Sequence, residues 1–461
     1  MLGSFSWATS FIYYFIVLSK ISIPNIAIRE CAKVKDDPTK LSMKVQEFFI
    51  MQAIMTLLSF GLLCLIVFNS NSFKSEPNFS LIFILSLHFL TSVFSFEWVF
   101  TALEKQLFLS IRSIVILCIV DILIFVFVKR PDDIYTYTFI TTLTTLLTVI
   151  TNLIYLPKLV KFKKEGKYNF KQYLPSILTL FIISFLVAIY SKTDSFILGF
   201  LDESKKSVGS YSVGMKCVDI IITFFVALSS VYMPKASRYA SDNDEHNFAK
   251  LNKFSINICF IIAIPAIAMM ASLSSPLTSL ISGSYDNSSY NDSNYVLISL
   301  ASLMLTYSIS YLIYTNILIP LKKEKIYMFA LLIGVILNIS LSFLFGMLIL
   351  KDRPAFAVAI ATSISDVIVF IFLIIATWKY SHKIIFNLNN LKIFILGIII
   401  FALCFFVGPL FYNLLIEKIS QELSSLFEIL IMFVISSIIY LLGLILLKEK
   451  LTRNILFKKE Y

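Results

Sequence analysis

Thirteen separate runs of about twenty mostly apolar residues follow one another along this chain, each long enough to cross a bilayer's hydrocarbon core as a helix. They lie at about Trp7 to Ile28, Val45 to Phe68, Phe79 to Thr101, Leu109 to Val128, Ile134 to Leu156, Leu174 to Leu201, Val208 to Met233, Phe254 to Leu273, Tyr295 to Ile319, Ile326 to Leu350, Ala355 to Trp378, Ile393 to Tyr412 and Leu426 to Leu447. The runs are continuously apolar and do not alternate with polar residues, so helices that satisfy their own backbone are expected and a closed β-barrel is not. With 58% hydrophobic and 15% charged residues, the composition excludes a soluble domain of this length. The expected fold class is an all-α polytopic membrane protein.

Orientation follows from Lys and Arg in alternate loops. The segments near Arg29 to Lys44, Lys105 to Arg112, Lys158 to Lys171, Lys235 to Lys253, Lys322 to Lys325, Lys379 to Lys392 and Lys448 to Lys459 hold 28 of the 39 basic residues. That face, which carries the C-terminus, is expected to be cytoplasmic. The net charge of +11 then reflects topology and attraction to anionic headgroups, and a nucleic-acid partner is not motivated. The first run is a full span without a basic leader, so no cleavable signal peptide is expected.

The same count sends the first helix from outside to inside, with no helix before it. Internal repetition bears on this. Gly3-Ser4-Phe5-Ser6 opens the first helix and Gly209-Ser210-Tyr211-Ser212 the seventh. Pro24 is followed by Arg29 and Ala32, as Pro234 is by Lys235, Arg238 and Ala240. In the second half a full helix, Leu174 to Leu201, precedes the Gly-Ser-aromatic-Ser turn; in the first half nothing does. Two related halves are expected, the first lacking its leading helix, from an original plan of fourteen.

The Leu2-Gly3 turn, the Tyr13-Tyr14 pair, the Arg29-Glu30-Cys31-Ala32 exit and the loop from Asp36-Asp37 to Leu41-Ser42 resemble the segment after the first helix of Wzx-type O-antigen flippases. These belong to the multidrug/oligosaccharidyl-lipid/polysaccharide exporter superfamily. Asp194 to Gly199, Val208 to Ser212 and Met233 to Ser237 resemble that family's seventh and eighth helices in order and spacing, and Asn338 and Ala361 to Asp366 its eleventh and twelfth. Lys351-Asp352-Arg353-Pro354 departs from the Gly-rich external turn usual in relatives. The resemblance implies two pseudo-symmetric lobes around a central cavity, an N-terminal lobe at 1–160 (helices 2–6 of the plan) and a C-terminal lobe at 161–385 (helices 7–12). It also implies two extra helices and a cytoplasmic tail at 386–461. The implied substrate is an undecaprenyl-pyrophosphate-linked oligosaccharide, moved to the periplasmic leaflet of the bacterial inner membrane. Membrane lipids and the polymerase and chain-length machinery of the same pathway are the further partners it implies. The lobe boundary would be the lysine-rich loop Pro157 to Gln172, which suits positive-inside anchoring, headgroup contact or rocking of one lobe on the other.

Such a task needs a polar cavity with some cationic lining, and charges inside spans are costly enough that they should face the bundle interior. Lys20, Asp121, Lys216, Asp219 and Asp366 lie inside the runs, with Glu97, Lys192 and Asp194 nearer the ends. Lys20 has no acid at helical spacing and needs an interhelical partner or a bound anion. Lys216 and Asp219 are three apart and either pair within their helix or meet substrate. Asp121 and Asp366 are candidates for a coupling proton or Na⁺. Arg29 is a cytoplasmic anchor or a first contact for the pyrophosphate. Lys192 suits interfacial snorkelling, Glu97 beside Trp98 an interfacial belt, and Asp194 matches an acid of the family. The threonine-rich fifth span suits close packing or a hydrogen-bonding cavity wall.

Six scattered cysteines and three dispersed histidines give no metal or redox spacing, and His88, at mid-span, reads chiefly as a packing residue. No Walker motif and no cofactor signature is present. A lipid-linked oligosaccharide flippase leads this reading. A cation-coupled drug exporter of the same superfamily would want few internal cations, which Lys20 and Lys216 oppose. A glycan polymerase or ligase would usually need an external loop longer than the twenty or so residues from Ser274 to Asn294. The lipid II flippase branch resembles the chain less, because its cavity is lined by arginines and these spans hold almost none.

Overall fold

The computed structural model describes residues 2–70, 73, 77–130, 132–160, 168–202, 204–282, 292–385, 387–416 and 420–449. Every regular element among them is helical. Among the described residues thirteen helical spans, from Gly3–Ala32 to Gln421–Leu446, are long and apolar enough to cross a membrane, the number the apolar runs predict. The chain is an all-α, multi-pass membrane protein. It divides into two compact units, Met1–Phe196 and Ile197–Tyr461.

The N-terminal unit holds α1 (Leu2–Lys20), α2 (Ile23–Ala32), α3 (Pro38–Asn69), α4 (Asn78–Leu85), α5 (His88–Phe94), α6 (Glu97–Ala102), α7 (Gln106–Phe127), α8 (Ile134–Tyr155) and most of α9 (Leu174–Leu201). Helix α1 packs on α3 and α4, α2 on α3 and α6, and α8 on α5 and α7. Helix α3 starts seven residues before its apolar run because Asp37 caps it: the carboxylate accepts from the Thr39 and Lys40 amides, and Pro38 occupies the first turn, where no amide is needed. Those hydrogen bonds, Thr39 foremost, hold the Asp37 pKa down to about 2.

The end of this unit that carries α2, α6 and the start of α3 has its own apolar core, in which Ile23, Ile26, Phe48, Trp98 and Phe100 are buried. Trp98 meets Phe48 edge to face at 6.1 Å and is only 5% exposed, so it is a core residue and not part of an interfacial belt. The far end of the lysine-rich loop is tied down here: the Asn169 amide donates to buried Glu47 at 2.7 Å, and Tyr173 donates to the same carboxylate at 3.0 Å. Lys161, Lys163, Lys164 and Lys167 of that loop, and the tail beyond Glu449, lie outside the described residues.

The C-terminal unit continues from α9 with α10 (Lys206–Ser241), α11 (Glu245–Ser272), α12 (Ser274–Ser282), α13 (Ser293–Leu300), α14 (Leu303–Ile313), α15 (Glu324–Leu344), α16 (Pro354–Ala376), α17 (Trp378–Ile385), α18 (Leu388–Ile416) and α19 (Gln421–Leu446). Helix α10 packs on α13 and α14, α15 on α16, and α18 on α11 and α19. The segment expected as the longest external loop contains α12. Outward faces remain apolar, as lipid requires: Leu107, Phe125, Leu348 and Leu446 are each at least two-thirds exposed.

Candidate functional site

Two spans of the N-terminal unit are broken. The first is interrupted between α1 and α2, where Ile21 and Ser22 take φ of 40° and 58°, a left-handed conformation unfavourable for side-chain-bearing residues and most of all for β-branched isoleucine. The third is interrupted at Ser86–Leu87 and again before α6, where Phe96 has φ 48°. A break inside a membrane frees backbone groups that must find partners, and side chains supply them. Gln52 Nε2 donates to Ser19 O at 2.8 Å and Asn152 Nδ2 to Ser95 O, while Ser59 Oγ ties α3 to the body of α1 at Phe15 O, 2.6 Å. Hydroxyls join the segments: Ser19 Oγ donates to Ser92 Oγ at 2.9 Å, and Ser22 Oγ lies 2.8 Å from Ser184 Oγ.

The two breaks bring opposite charges to complementary helix ends. Lys20 is the last residue of α1, where its ammonium offsets the negative end of the helix dipole, and Glu97 is the first residue of α6, where a carboxylate offsets the positive end. Lys20 is exposed and within electrostatic range of Glu97 and His88. Among the described residues no carboxylate lies at ion-pair distance from it. Glu97 instead takes the Arg112 Nη2 donor at 2.8 Å, while Arg112 Nη1 donates to Asn152 Oδ1 at 2.8 Å. Arg112 is 8% exposed, so the base expected in a cytoplasmic loop is in fact a buried strut. It links α7 to α8 and to the start of α6, and Asn152 uses its other end on the Ser95 carbonyl. The result is a rigid polar frame with one accessible ammonium not consumed by it.

His88 Nδ1 lies 2.6 Å from Thr145 Oγ1 on α8. The other hydroxyls of that threonine-rich helix mostly bond their own backbone, as Thr138 does to Ile134 O and Thr142 to Thr138 O, both at 2.7 Å. These residues serve packing within the helix.

The remaining candidates are dispersed. Arg29 is exposed and bonded to Glu30 at 3.1 Å, which also takes Lys33 at 2.8 Å. Asp194 is buried on α9 close to Tyr14, whose hydroxyl lies 3.2 Å from Thr193 Oγ1. Lys192 sits over the Tyr13 ring at 5.6 Å. Asp121 is exposed on α7 within electrostatic range of Tyr137. In the C-terminal unit Lys216 and Asp219 are both exposed on α10, three residues apart. Asp366 is 1% exposed and accepts the Thr306 hydroxyl, and Asn338 Nδ2 donates to Thr362 Oγ1 at 3.0 Å on the same helix as Asp366.

The sequence reading passed over Arg112 and Asn152, and also Glu428, a buried carboxyl on α19 without a hydrogen-bond or ion-pair partner among the described residues. A Cβ on Gly408 of α18 would come within 2.9 Å of its Oε1. An acid inside the apolar run that begins at Leu426 was the available signal.

The family model described as polysaccharide biosynthesis protein matches residues 2–240, which include both broken spans and the frame around Arg112. The chain belongs to this family. The MatE family model matches residues 175–344. Among solved structures, this member of the polysaccharide biosynthesis protein family is similar to the lipid II flippase MurJ in its inward closed conformation. The TM-score is 0.68 at 20% identity, over 98% of this chain and 97% of that one. Among curated proteins none matches. The family places the chain in the superfamily that the sequence motifs pointed to, and the likeness to MurJ establishes the fold across its whole length.

Proposed function

We propose that this protein is a flippase that carries an undecaprenyl-pyrophosphate-linked oligosaccharide, an O-antigen or capsule repeat unit, from the cytoplasmic to the periplasmic leaflet of the inner membrane. Translocation proceeds by alternating access and without covalent chemistry on the substrate. The observation that carries the reading is Lys20: an accessible ammonium at a helix break inside a membrane span, with no carboxylate at ion-pair distance among the described residues. An ammonium so placed is costly unless an anion comes to it. A diphosphate supplies that anion, and the helix ends and hydroxyls at the breaks supply hydrogen bonds to sugar.

In this scheme residues 1–160 and 161–385 act as lobes, 386–461 as two further helices and a tail on the cytoplasmic face. Lys20, Lys216, Asp219 and Asp194 face the glycan-diphosphate, Arg29 meets it first, and Asp121 or Asp366 binds the coupling ion. The polymerase and chain-length machinery of the pathway receive the product. The fold similarity to a lipid II flippase and the family match both support this reading. The MatE match favours a second one, a cation-coupled exporter of small molecules, against which Lys20, with no carboxylate at ion-pair distance among the described residues, weighs.

The test is glycan display in a strain lacking its own flippase, complemented with this chain. Lys20→Ala and Lys216→Ala should each reduce display by tenfold or more at unchanged membrane abundance, and Lys20→Arg should retain most of it. Full display by both alanine variants overturns the anion-contact mechanism, and drug efflux without glycan display favours the exporter.

A further inference from the structure

The C-terminal unit contains a cavity of about 1020 Å³ formed by the start of α11, α17, the first turns of α18 and Lys448 just after α19. Its lining is strongly basic. Lys250, Lys253, Lys379, Lys392 and Lys448 border it together with His246; Glu245 is the carboxylate among the described lining residues, and buried Glu449 behind it is taken up by Asn389. Glu245 lies 3.7 Å from Lys379, with both side chains largely exposed, so the pair is weak. Lys392 is turned onto the Leu447 carbonyl at 2.8 Å, where it closes the end of α19. Lys250, Lys253 and Lys448 are exposed and have no ion-pair partner among the described residues.

The inner wall is built, not incidental. Phe248 and Tyr380 meet edge to face at 6.1 Å, Ile384 is buried beside them, and the buried amides of Asn252 and Asn257 line the depth. The outer rim runs straight into lipid-facing surface: Trp378 is 51% exposed, Leu388 78% and Leu391 54%. An exposed tryptophan next to lysines and leucines is the residue pattern of the headgroup level of a bilayer.

We propose that this cavity is a binding site for a phosphate-bearing anion, delivered as the headgroup of an anionic membrane lipid whose acyl chains lie along Leu388 and Leu391. Three uncompensated lysines around one cavity attract a headgroup carrying more than one phosphate over a zwitterionic one. The apolar rim favours a ligand attached to the membrane. The site uses none of the residues assigned to translocation and does not rest on that assignment. Bound at the junction of α17 with the last two helices, such a lipid would fix their position.

The experiment measures lipid retention by native mass spectrometry on the full chain, released from nanodiscs of phosphatidylcholine with or without cardiolipin. A second arm titrates the detergent-solubilised chain with inorganic pyrophosphate. The combined Lys250→Gln, Lys253→Gln and Lys448→Gln variant should retain cardiolipin about tenfold less than the parent. A control with Lys322, Lys323 and Lys325 changed to Gln should retain it fully. Because all six lysines lie at the surface, both variants should elute and melt as the parent does. Saturable pyrophosphate binding that vanishes in the first variant, with no cardiolipin retention, assigns the site to a soluble phosphate and overturns the lipid source. Equal retention in parent and variant, or equal loss in the control, overturns the site itself.

Discussion

The Arg112 guanidinium donates to the Glu97 carboxylate at 2.8 Å across a helix break, with the guanidinium buried and the carboxylate half exposed. Because Asn152 holds the other guanidinium nitrogen, the pair fixes where α6 begins relative to α7 and α8. Glu97→Ala leaves the buried cation with neutral partners alone, Asn152 and Ser113. The expected cost is about 1–3 kcal/mol, below the roughly 3–5 of a fully buried pair because water reaches the carboxylate. A double-mutant cycle with Arg112→Met, read by thermal unfolding in detergent, should return a coupling of at least about 1 kcal/mol. A coupling near zero would remove Arg112 from the frame around Lys20.

Asp366 and Asp121 are both candidate ion carriers, yet their surroundings differ. Asp366 is buried and hydrogen-bonded by Thr306, whereas Asp121 is exposed on its helix. A coupling carboxyl has to exchange its ion in a dehydrated setting, which favours Asp366. Asp366→Asn should abolish glycan display with no more than about 1–2 kcal/mol lost in stability, since Asn still accepts from Thr306. Asp121→Asn should leave display within about twofold of the parent. The reverse ranking, measured at matched membrane abundance, would move the coupling role to α7.

The spans were legible because a bilayer imposes one simple rule on sequence, about twenty apolar residues per crossing. The breaks were not. No glycine or proline stands at Phe96 to announce a left-handed residue, and the hydrogen bond that takes up the neighbouring Ser95 carbonyl comes from Asn152, more than fifty positions away. Pro24 lies in the first turn of α2, where a proline marks a helix start, yet within one long apolar run it reads equally as the end of a repeat. Lys20 stood out because a charge inside an apolar run is costly wherever it lies. Arg112 did not, since counting basic residues by loop cannot tell an arginine in headgroups from one folded inward against Asn152.

Asp37 caps α3 through hydrogen bonds to Thr39 and Lys40 that lower its pKa from 3.8 to about 2. A depressed carboxyl binds its proton more tightly in the unfolded cap than in the folded one. Its contribution is therefore complete above about pH 4 and is lost as pH falls through the folded value. At neutral pH, Asp37→Ala should speed hydrogen exchange at the Thr39 and Lys40 amides, and Asp37→Asn should restore most of the protection. In the parent chain the same amides should lose protection between about pH 4 and pH 2. Protection in the alanine variant equal to the parent's would show that α3 starts without its cap.

At Gly214, α10 lies tight against α13. A Cβ there would lie 2.7 Å from Val296 Cγ1 and 3.1 Å from the Leu297 amide nitrogen. The first neighbour is a buried, β-branched side chain stiff at χ1, and the second is backbone, so neither yields cheaply. Small residues at such crossings let membrane helices pack backbone to backbone, and filling the space forces the pair apart. Gly214→Ala should cost about 1–3 kcal/mol of stability by overpacking. Combining it with Val296→Ala removes the nearest clash but leaves the contact with Leu297, so thermal stability should recover in part and stay below the parent's. An alanine variant as stable as the parent would mean that α10 and α13 separate freely, and that their contact does not hold the C-terminal unit together.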